Sequence, residues 1–206
     1  VIRGTGSDEA EVRKGCAFVT AIDKLPLIVK SCPGFLVNRV LAPYMLGAMQ
    51  RLEKGASKET LDEAARAFGM PMGPIELADS VGLDVCAHVG RILKLAPPGE
   101  STLARLVAAG KLGKKSGEGF YVWKDGKPAK GEAKTETSEL GRLGHELVAP
   151  LVAEAERCRD EGIVASADMV DAGVIFGTGF APFRGGPLTY AAARKLVHEP
   201  TRAAAE

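Results

Sequence analysis

The chain has 206 residues, of which 27 are Lys or Arg and 26 are Asp or Glu, so its formal net charge is only +1. This balance gives no electrostatic support to nucleic-acid binding, and we expect no nucleic-acid partner. Hydrophobic residues make up 46% of the chain but aromatic residues only 5%. The core must therefore be built mainly from Ala, Val, Leu and Ile, a composition that favours closely packed helices.

The cysteine spacing and the absence of long apolar runs predict an ordinary cytoplasmic protein. Cys16, Cys32, Cys86 and Cys158 lie far apart and form no C-x-x-C pair, so we expect reduced cysteines and no metal site. No run approaches the roughly 20 apolar residues of a membrane span. No signal peptide is visible either.

The first 30 residues have the pattern of the end of an α/β domain. Residues 7–22 predict a helix with Ser7 as its N-cap, and residues 25–29 form a short β-branched run typical of a strand. Residues 1–4 resemble the end of another strand, and the chain has no initiator Met. We therefore expect residues 1–30 to be the remnant of a larger domain.

Helical periodicity dominates residues 31–124, which we predict to be a first helical domain. Pro43 lies inside the first of its helices, and Gly55 is the expected stop. Residues 120–123 are strand-like, and residues 125–138 have the composition of a linker. The predicted helices cover residues 35–54, 58–68, 75–96 with a break near Gly82, and 101–109.

Residues 139–206 repeat the earlier pattern. Pro43 precedes Gly55 by the same number of residues as Pro150 precedes Gly162. In both halves an Asp follows, and then a turn rich in Gly and Pro. We interpret this as an internal duplication and predict a second helical domain at 139–206, packed against the first as a pseudo-dimer.

Four segments, in order, resemble the 3-hydroxyacyl-CoA dehydrogenase family. Their sequences are CPGFLVNR at 32–39, PMGPIELADSVGLD at 71–84, GKKSGEGFY at 113–121 and GTGFAPFRGGP at 177–187. The resemblance implies a mainly α fold made of two tandem helical domains of the 6-phosphogluconate dehydrogenase C-terminal type. Because the unit is duplicated, the chain looks like the C-terminal part of the multifunctional α-subunit of fatty-acid oxidation complexes.

The resemblance also implies an activity. The family oxidises a 3-hydroxyacyl-CoA to the 3-ketoacyl-CoA with NAD, and its catalytic His and Glu would lie outside this chain. Asn38, in the V-N-R motif, would reach the active site and donate a hydrogen bond to the substrate oxygen. The implied partners are the substrate and the NAD-binding domain, with a thiolase subunit as a further implied partner. We expect the chain alone to bind no NAD or metal and to be inactive.

Several alternatives remain open at this point. Asn38 would have no catalytic role if its side chain only bonded the local backbone. A helical assembly module without chemistry is a second alternative, and it predicts that Asn38 is buried in helix packing. The 6-phosphogluconate and hydroxyisobutyrate dehydrogenases also combine an NAD-binding domain with a helical one, but they lack the P-G-F-x-V-N-R junction. Lys114 and Lys115 would either meet CoA phosphates or, as we prefer, lie in a solvated loop. Glu76 and Asp79 are expected to charge a helix start.

No dinucleotide-binding loop is recognised in the sequence. Gly117 and Gly119 precede a strand-like segment rather than a helix, so they fail the context that such a loop requires.

Overall fold

A computed structural model describes residues 1–95 and 101–198, with side chains described as far as residue 195. The fold is mainly helical, as predicted. Contacts divide the chain into two compact units, Val1–Val37 with Val152–Glu206 (unit 1) and Asn38–Leu151 (unit 2). The boundaries between the units fall within two long helices.

Unit 1 begins with two short parallel strands joined by a helix. Strand β1 (Ile2–Arg3) pairs with β2 (Val29–Lys30), and α1 (Glu9–Ala21) connects them. The predicted strand at 25–29 is wrong for all but its last residue, because the only described partner strand, β1, is two residues long and its register reaches only Val29 and Lys30.

The predicted N-cap of α1 is also wrong. Asp8, rather than Ser7, caps the helix, because its carboxylate accepts hydrogen bonds from the backbone N–H groups of Ala10 (2.7 Å) and Glu11 (3.3 Å). The Ser7 hydroxyl points the other way and accepts from the Gly4 N–H at 2.9 Å.

Unit 2 contains most of the predicted first helical region, and the local signals there are largely confirmed. Ser57 caps a helix, Gly69 ends it with φ of 115°, and Gly82 separates two further helices. The predicted helix at 75–96 is thus two helices, the first of which begins at Pro74. The helices are α2 (Val37–Glu53), α3 (Lys58–Phe68), α4 (Pro74–Val81), α5 (Leu83–Ile92) and α6 (Thr102–Ala108).

A buried aspartate organises the loop that follows α6. Asp79, fully buried near the end of α4, accepts hydrogen bonds from the backbone N–H groups of Phe120 (2.9 Å) and Tyr121 (2.8 Å) and from Trp123 Nε1 (3.0 Å). Phe120 and Tyr121 therefore form a turn around a carboxylate and not the predicted strand, whereas Val122 makes an isolated β-bridge with Glu118 and Trp123 belongs to a strand. The expectation that Asp79 charges a helix start is wrong.

The glycines of the G-K-K-S-G-E-G segment serve this same turn. A Cβ on Gly113 would lie 2.3 Å from the Asp79 carbonyl oxygen, and one on Gly119 would lie 2.2 Å from its Oδ1. Only glycine allows the backbone to approach this closely.

A short hairpin leads from this turn toward the last helices. Strand β3 (Trp123–Lys124) pairs antiparallel with β4 (Lys127–Pro128) across the predicted Asp125-Gly126 turn. Three helices follow: α7 (Thr137–Asp160), α8 (Ala167–Thr178) and α9 (Pro187–His198). Residues 125–138 therefore contain more structure than their composition predicts.

A second buried aspartate joins two helices in unit 2. Asp62 of α3 accepts hydrogen bonds from the backbone N–H groups of Ile75 (2.8 Å) and Glu76 (3.2 Å), at the start of α4. Gly73 makes this approach possible, since a Cβ there would lie 2.2 Å from the Asp62 Cα.

Unit 1 contains a joint of the same kind. Asp171 of α8 accepts from the backbone N–H groups of Leu188 (2.7 Å) and Thr189 (3.1 Å), at the start of α9. A Cβ on Gly186 would lie 2.4 Å from the Asp171 Cβ.

We predict that Asp79→Ala lowers the free energy of unfolding by about 3 kcal/mol, because two buried backbone N–H groups and an indole N–H lose their acceptor. Urea unfolding followed by circular dichroism measures the change. The matched control is Asp84→Ala, which removes an exposed carboxylate paired with Lys115 and should leave the midpoint nearly unchanged. Equal effects of the two substitutions would contradict a structural role for Asp79.

Candidate functional site

Asn38 is the only asparagine of the chain and the second residue of α2. Its side chain is exposed, and no hydrogen bond joins it to any residue in the described part of the chain. The alternative in which Asn38 bonds local backbone therefore has no support in the structure. Its amide is available to a ligand.

Asn38 lies at the edge of an apolar groove within unit 2. The groove has a volume of about 770 Å³ and follows α2 along nearly its whole length. The opposite wall comes from α5, the residues flanking it and α6, with Phe120 completing the lining. Val81 and Val85 on that wall are 46% and 41% exposed, which is unusual for large aliphatic side chains that form one continuous surface.

The character of the groove changes along α2. Leu41, Met45 and Met49 give it an apolar wall, whereas polar and charged residues line the part beside the C-terminal end of α2. These are Gln50, Glu53, Lys54 and, from α5, Arg91. A groove with one amide at its start and a long apolar wall fits an aliphatic ligand that carries a polar head.

Glu53 fixes α6 at the side of the groove. Its carboxylate accepts a hydrogen bond from the Thr102 backbone N–H at 2.5 Å, at the start of α6. This hydrogen bond holds the pKa of Glu53 below its ordinary value. The side chain is thus engaged in positioning a helix and is unsuited to act as a general base at neutral pH.

The thiol that lines the groove is not a nucleophile. Burial raises the pKa of Cys86 to about 11, with a smaller contribution from Asp84. The thiol therefore stays protonated at neutral pH. None of the histidine side chains that the structure describes lines the groove, and His145 instead packs edge-on against Phe68. The lining residues that the structure describes therefore provide no acid–base pair.

A second polar cluster in unit 2 is structural. The Lys130 ammonium donates to Asp62 at 2.9 Å and to Glu76 at 2.6 Å, and Tyr121 donates its hydroxyl to Asp62 at 2.9 Å. Arg66 pairs with Glu76 at 2.9 Å. Because every carboxylate here has a cation or backbone N–H as partner, the cluster fixes the fold. Glu76 lies in the first turn of α4, as predicted, but it serves this network.

The two lysines of the G-K-K motif are also held locally. Lys115 pairs with Asp84 at 2.5 Å, and the Lys114 ammonium lies 5.5 Å from the centre of the Trp123 ring. These contacts agree with the preferred solvated-loop interpretation and give no support to a phosphate site.

The residues between β1 and α1 do not suit the phosphates of NAD. Gly4 and Gly6 do lie between a strand and a helix, a position that the sequence analysis did not consider. However, Asp8 already occupies the first N–H groups of α1, and Glu9 and Glu11 stand in its first turn. A phosphate there would meet three carboxylates instead of free N–H groups.

The described residues contain neither a membrane-spanning helix nor a cluster of metal ligands. Residues 1–95 and 101–198 contain no helix long and apolar enough to cross a membrane. In the same part of the chain, no group of three or more His, Cys, Asp or Glu side chains is placed to hold a metal ion.

Comparison with protein families confirms the resemblance seen in the motifs. Residues 34–123 match the model of the family described as "3-hydroxyacyl-CoA dehydrogenase, C-terminal domain". The fatty acid oxidation complex subunit alpha of Idiomarina loihiensis is 39% identical over 213 residues, covering 92% of this chain and 29% of that protein. The chain thus spans less than a third of the length of this relative.

Solved structures agree on the fold. The 3-hydroxybutyryl-CoA dehydrogenase of Escherichia coli matches with a TM-score of 0.73 at 22% identity, over 94% of this chain and 60% of that one. The (S)-3-hydroxybutyryl-CoA dehydrogenase of Ralstonia eutropha matches with a TM-score of 0.54 at 38% identity, over 60% of this chain and 46% of that one.

We predict that the unfolding midpoint of the wild-type chain falls more between neutral and acid pH than that of its Glu76→Gln variant. Burial alone would raise the pKa of Glu76, but hydrogen bonds from Lys130 and Arg66 outweigh it and hold the pKa below the ordinary 4.5. A lowered folded-state pKa contributes stability above pH 4.5 that is lost as the pH falls further. Unfolding midpoints between pH 7 and the acid range measure it. The same loss of midpoint in both proteins would contradict this role.

Proposed function

We propose that this chain is the C-terminal portion of an NAD-dependent 3-hydroxyacyl-CoA dehydrogenase of fatty-acid β-oxidation. The proposal rests on residues 34–123, which belong to the 3-hydroxyacyl-CoA dehydrogenase C-terminal domain family. The full-length protein would oxidise a 3-hydroxyacyl-CoA to the 3-ketoacyl-CoA. Hydride transfer to NAD would take place on a domain outside this chain, and no residue of the described part is assigned to holding that cofactor.

The observation that carries this proposal is the position of Asn38. Its unpaired, exposed amide lies at the start of an apolar groove, where a thioester-linked acyl chain would present its oxygens near the amide and its tail to the groove. The alternative of a purely structural helical module predicts Asn38 buried in helix packing, which is not what is seen.

Asn38 would act by donating an N–H group. When the substrate's hydroxyl loses its proton, negative charge develops on the C3 oxygen, and a fixed donor stabilises that charge more than it stabilises the neutral hydroxyl. The amide itself neither gains nor loses a proton. The base that takes the proton would lie outside this chain, since the described residues that line the groove include neither a histidine nor, in the apolar part, a free carboxylate.

We further propose that the chain contains two tandem copies of one helical unit, packed as a pseudo-dimer. The matching joints at Asp62 and Asp171 support this. Each carboxylate accepts hydrogen bonds from the N–H groups at the start of a helix whose first residue is the proline of a Gly-Pro pair. The preceding helices also match: Ser57 and Ser166 cap α3 and α8 in the same way. Two similar polar joints at corresponding positions are hard to explain without duplication.

The domain boundaries that follow from the duplication are residues 1–30 for the remnant of the NAD-binding domain, 31–124 and 139–206 for the two helical domains, and 125–138 for the connection. The remnant is supported by α1, which buries only Val12 and leaves Phe18 66% exposed and Ile22 51% exposed. Parallel sheets are normally larger and covered on both faces. The proposed partners are the 3-hydroxyacyl-CoA, the NAD-binding domain and a thiolase subunit. The proposed location of the protein is the cytoplasm.

We predict that the purified 206-residue chain does not oxidise 3-hydroxybutyryl-CoA in the presence of NAD, because the base and the cofactor site would lie elsewhere. The absorbance of reduced nicotinamide measures turnover, and the full-length protein assayed alongside should be active. Clear turnover by the chain alone would overturn the proposed division of roles.

In the full-length protein, we predict that Asn38→Ala lowers kcat about 100-fold while changing KM much less, since one fixed donor to a developing oxyanion contributes about 3 kcal/mol. Asn38→Asp keeps the shape but replaces the donor with a negative acceptor, so it should be at least as slow. Steady-state kinetics distinguish these outcomes. Unchanged turnover in both variants would make Asn38 a structural residue.

A further inference from the structure

The length of the apolar wall along α2 carries an inference about the substrate, which rests on the proposed function. Asn38 lines the groove at its start, and Met49 is the last apolar residue of α2 before the polar Gln50. At about 1.5 Å per residue, they are separated by roughly 16 Å along the helix axis. An extended chain advances about 1.2 Å per bond, so this wall matches roughly 13 bonds.

The two ends of the groove give the ligand a direction. Asn38 supplies an unpaired amide before Leu41, whereas Gln50, Glu53 and Lys54 make the surface polar near Leu52. A methyl terminus would gain nothing from passing these residues, because polar groups would have to lose their water. The apolar part of the groove thus has a beginning and an end, and the end limits the acyl chain that it can bury.

We infer that this groove measures acyl chain length and that the protein acts best on long-chain 3-hydroxyacyl thioesters of about 14 to 16 carbons. The C3 oxygen lies at Asn38, and the tail runs along α2 past Met45 and then Met49. The flexible thioethers of the two methionines fit an aliphatic chain without demanding one conformation.

The order of the methionines makes the inference testable. Met45 lies seven residues after Asn38 and Met49 lies eleven, about 10 Å and 16 Å along the helix axis. Both side chains are partly exposed and line the groove, so a larger side chain at either position would project into the groove and not into the core. A block at Met45 would stop medium chains, whereas a block at Met49 would stop only the longest.

The experiment measures kcat/KM of the full-length protein for 3-hydroxyacyl-CoA substrates with 4, 8, 12 and 16 carbons. In the wild type, kcat/KM should rise with chain length up to 16 carbons, since each buried methylene is worth about fourfold in affinity. Met49→Trp should lower the ratio of the 16-carbon to the 4-carbon value at least tenfold. Met45→Trp should lower the 12-carbon ratio as well.

The matched control is Val122→Trp, which adds the same ring to an exposed apolar position of unit 2 outside the groove and should leave both ratios unchanged. Thermal unfolding midpoints show whether each variant is folded. If a Trp variant is not, Met45→Ala and Met49→Ala replace it, and they should lower the 16-carbon ratio by removing contacts with the tail.

Each outcome has one meaning. A wild-type profile that is flat from 4 to 16 carbons, or Trp variants that keep the wild-type ratios, would overturn the inference while the proposed activity stands. A Met49→Trp effect on shorter chains than Met45→Trp would also overturn it, because the tail would then enter from the other end. Absence of turnover on every substrate by the wild-type full-length protein would overturn the proposed function itself.

Discussion

The structure depends on buried carboxylates that accept hydrogen bonds from backbone N–H groups. Asp62, Asp79 and Asp171 each reach from one helix to the backbone of a later segment, and each is at least nine-tenths buried. An ionised carboxylate is costly to bury unless its oxygens are satisfied. Here three or four donors meet each of them, so each joint fixes the backbone of the turn or helix start that it contacts.

These joints also position the candidate site. Asp79 fixes the backbone of Phe120, whose side chain lines the groove next to Asn38's helix. Glu53 fixes the start of α6, another part of the same lining. The groove's walls are therefore set by polar contacts behind Phe120 and at the groove's polar end, where Glu53 lies, and its apolar part remains available to a ligand. The surrounding scaffold is therefore held by polar contacts, and it does not depend on side-chain packing inside the apolar part of the groove.

Local signals in the sequence predicted the elements well wherever a single residue decides a boundary. The helix at 58–68 and the break at Gly82 both occur where the sequence predicts them, because capping and backbone freedom depend on near neighbours only. The prediction failed where a distant side chain decides. Phe120 and Tyr121 have strand-like composition, but Asp79, some 40 residues earlier, accepts hydrogen bonds from their backbone N–H groups.

The site was predictable only in part. The V-N-R motif identified Asn38 through resemblance, but the groove beside it was missed, because its opposite wall comes from α5 and α6. The sequence did contain one relevant signal, the apolar residues Val81 and Val85, which face the apolar side of α2 in the structure. Recognising it would have required knowing how these helices pack, which helical periodicity alone does not give.

The contacts of Lys130 limit where the chain can be cut after the first helices. It belongs to a stretch whose composition resembles a tether, yet its ammonium is shared by Asp62 and Glu76, and Thr135 lies 3.1 Å from the Thr60 hydroxyl. A fragment that stopped at residue 125 would leave those two acidic groups facing each other with Arg66 as their remaining counter-ion among the described residues. A fragment that contains α3 and α4 keeps these contacts only if it extends beyond Thr135.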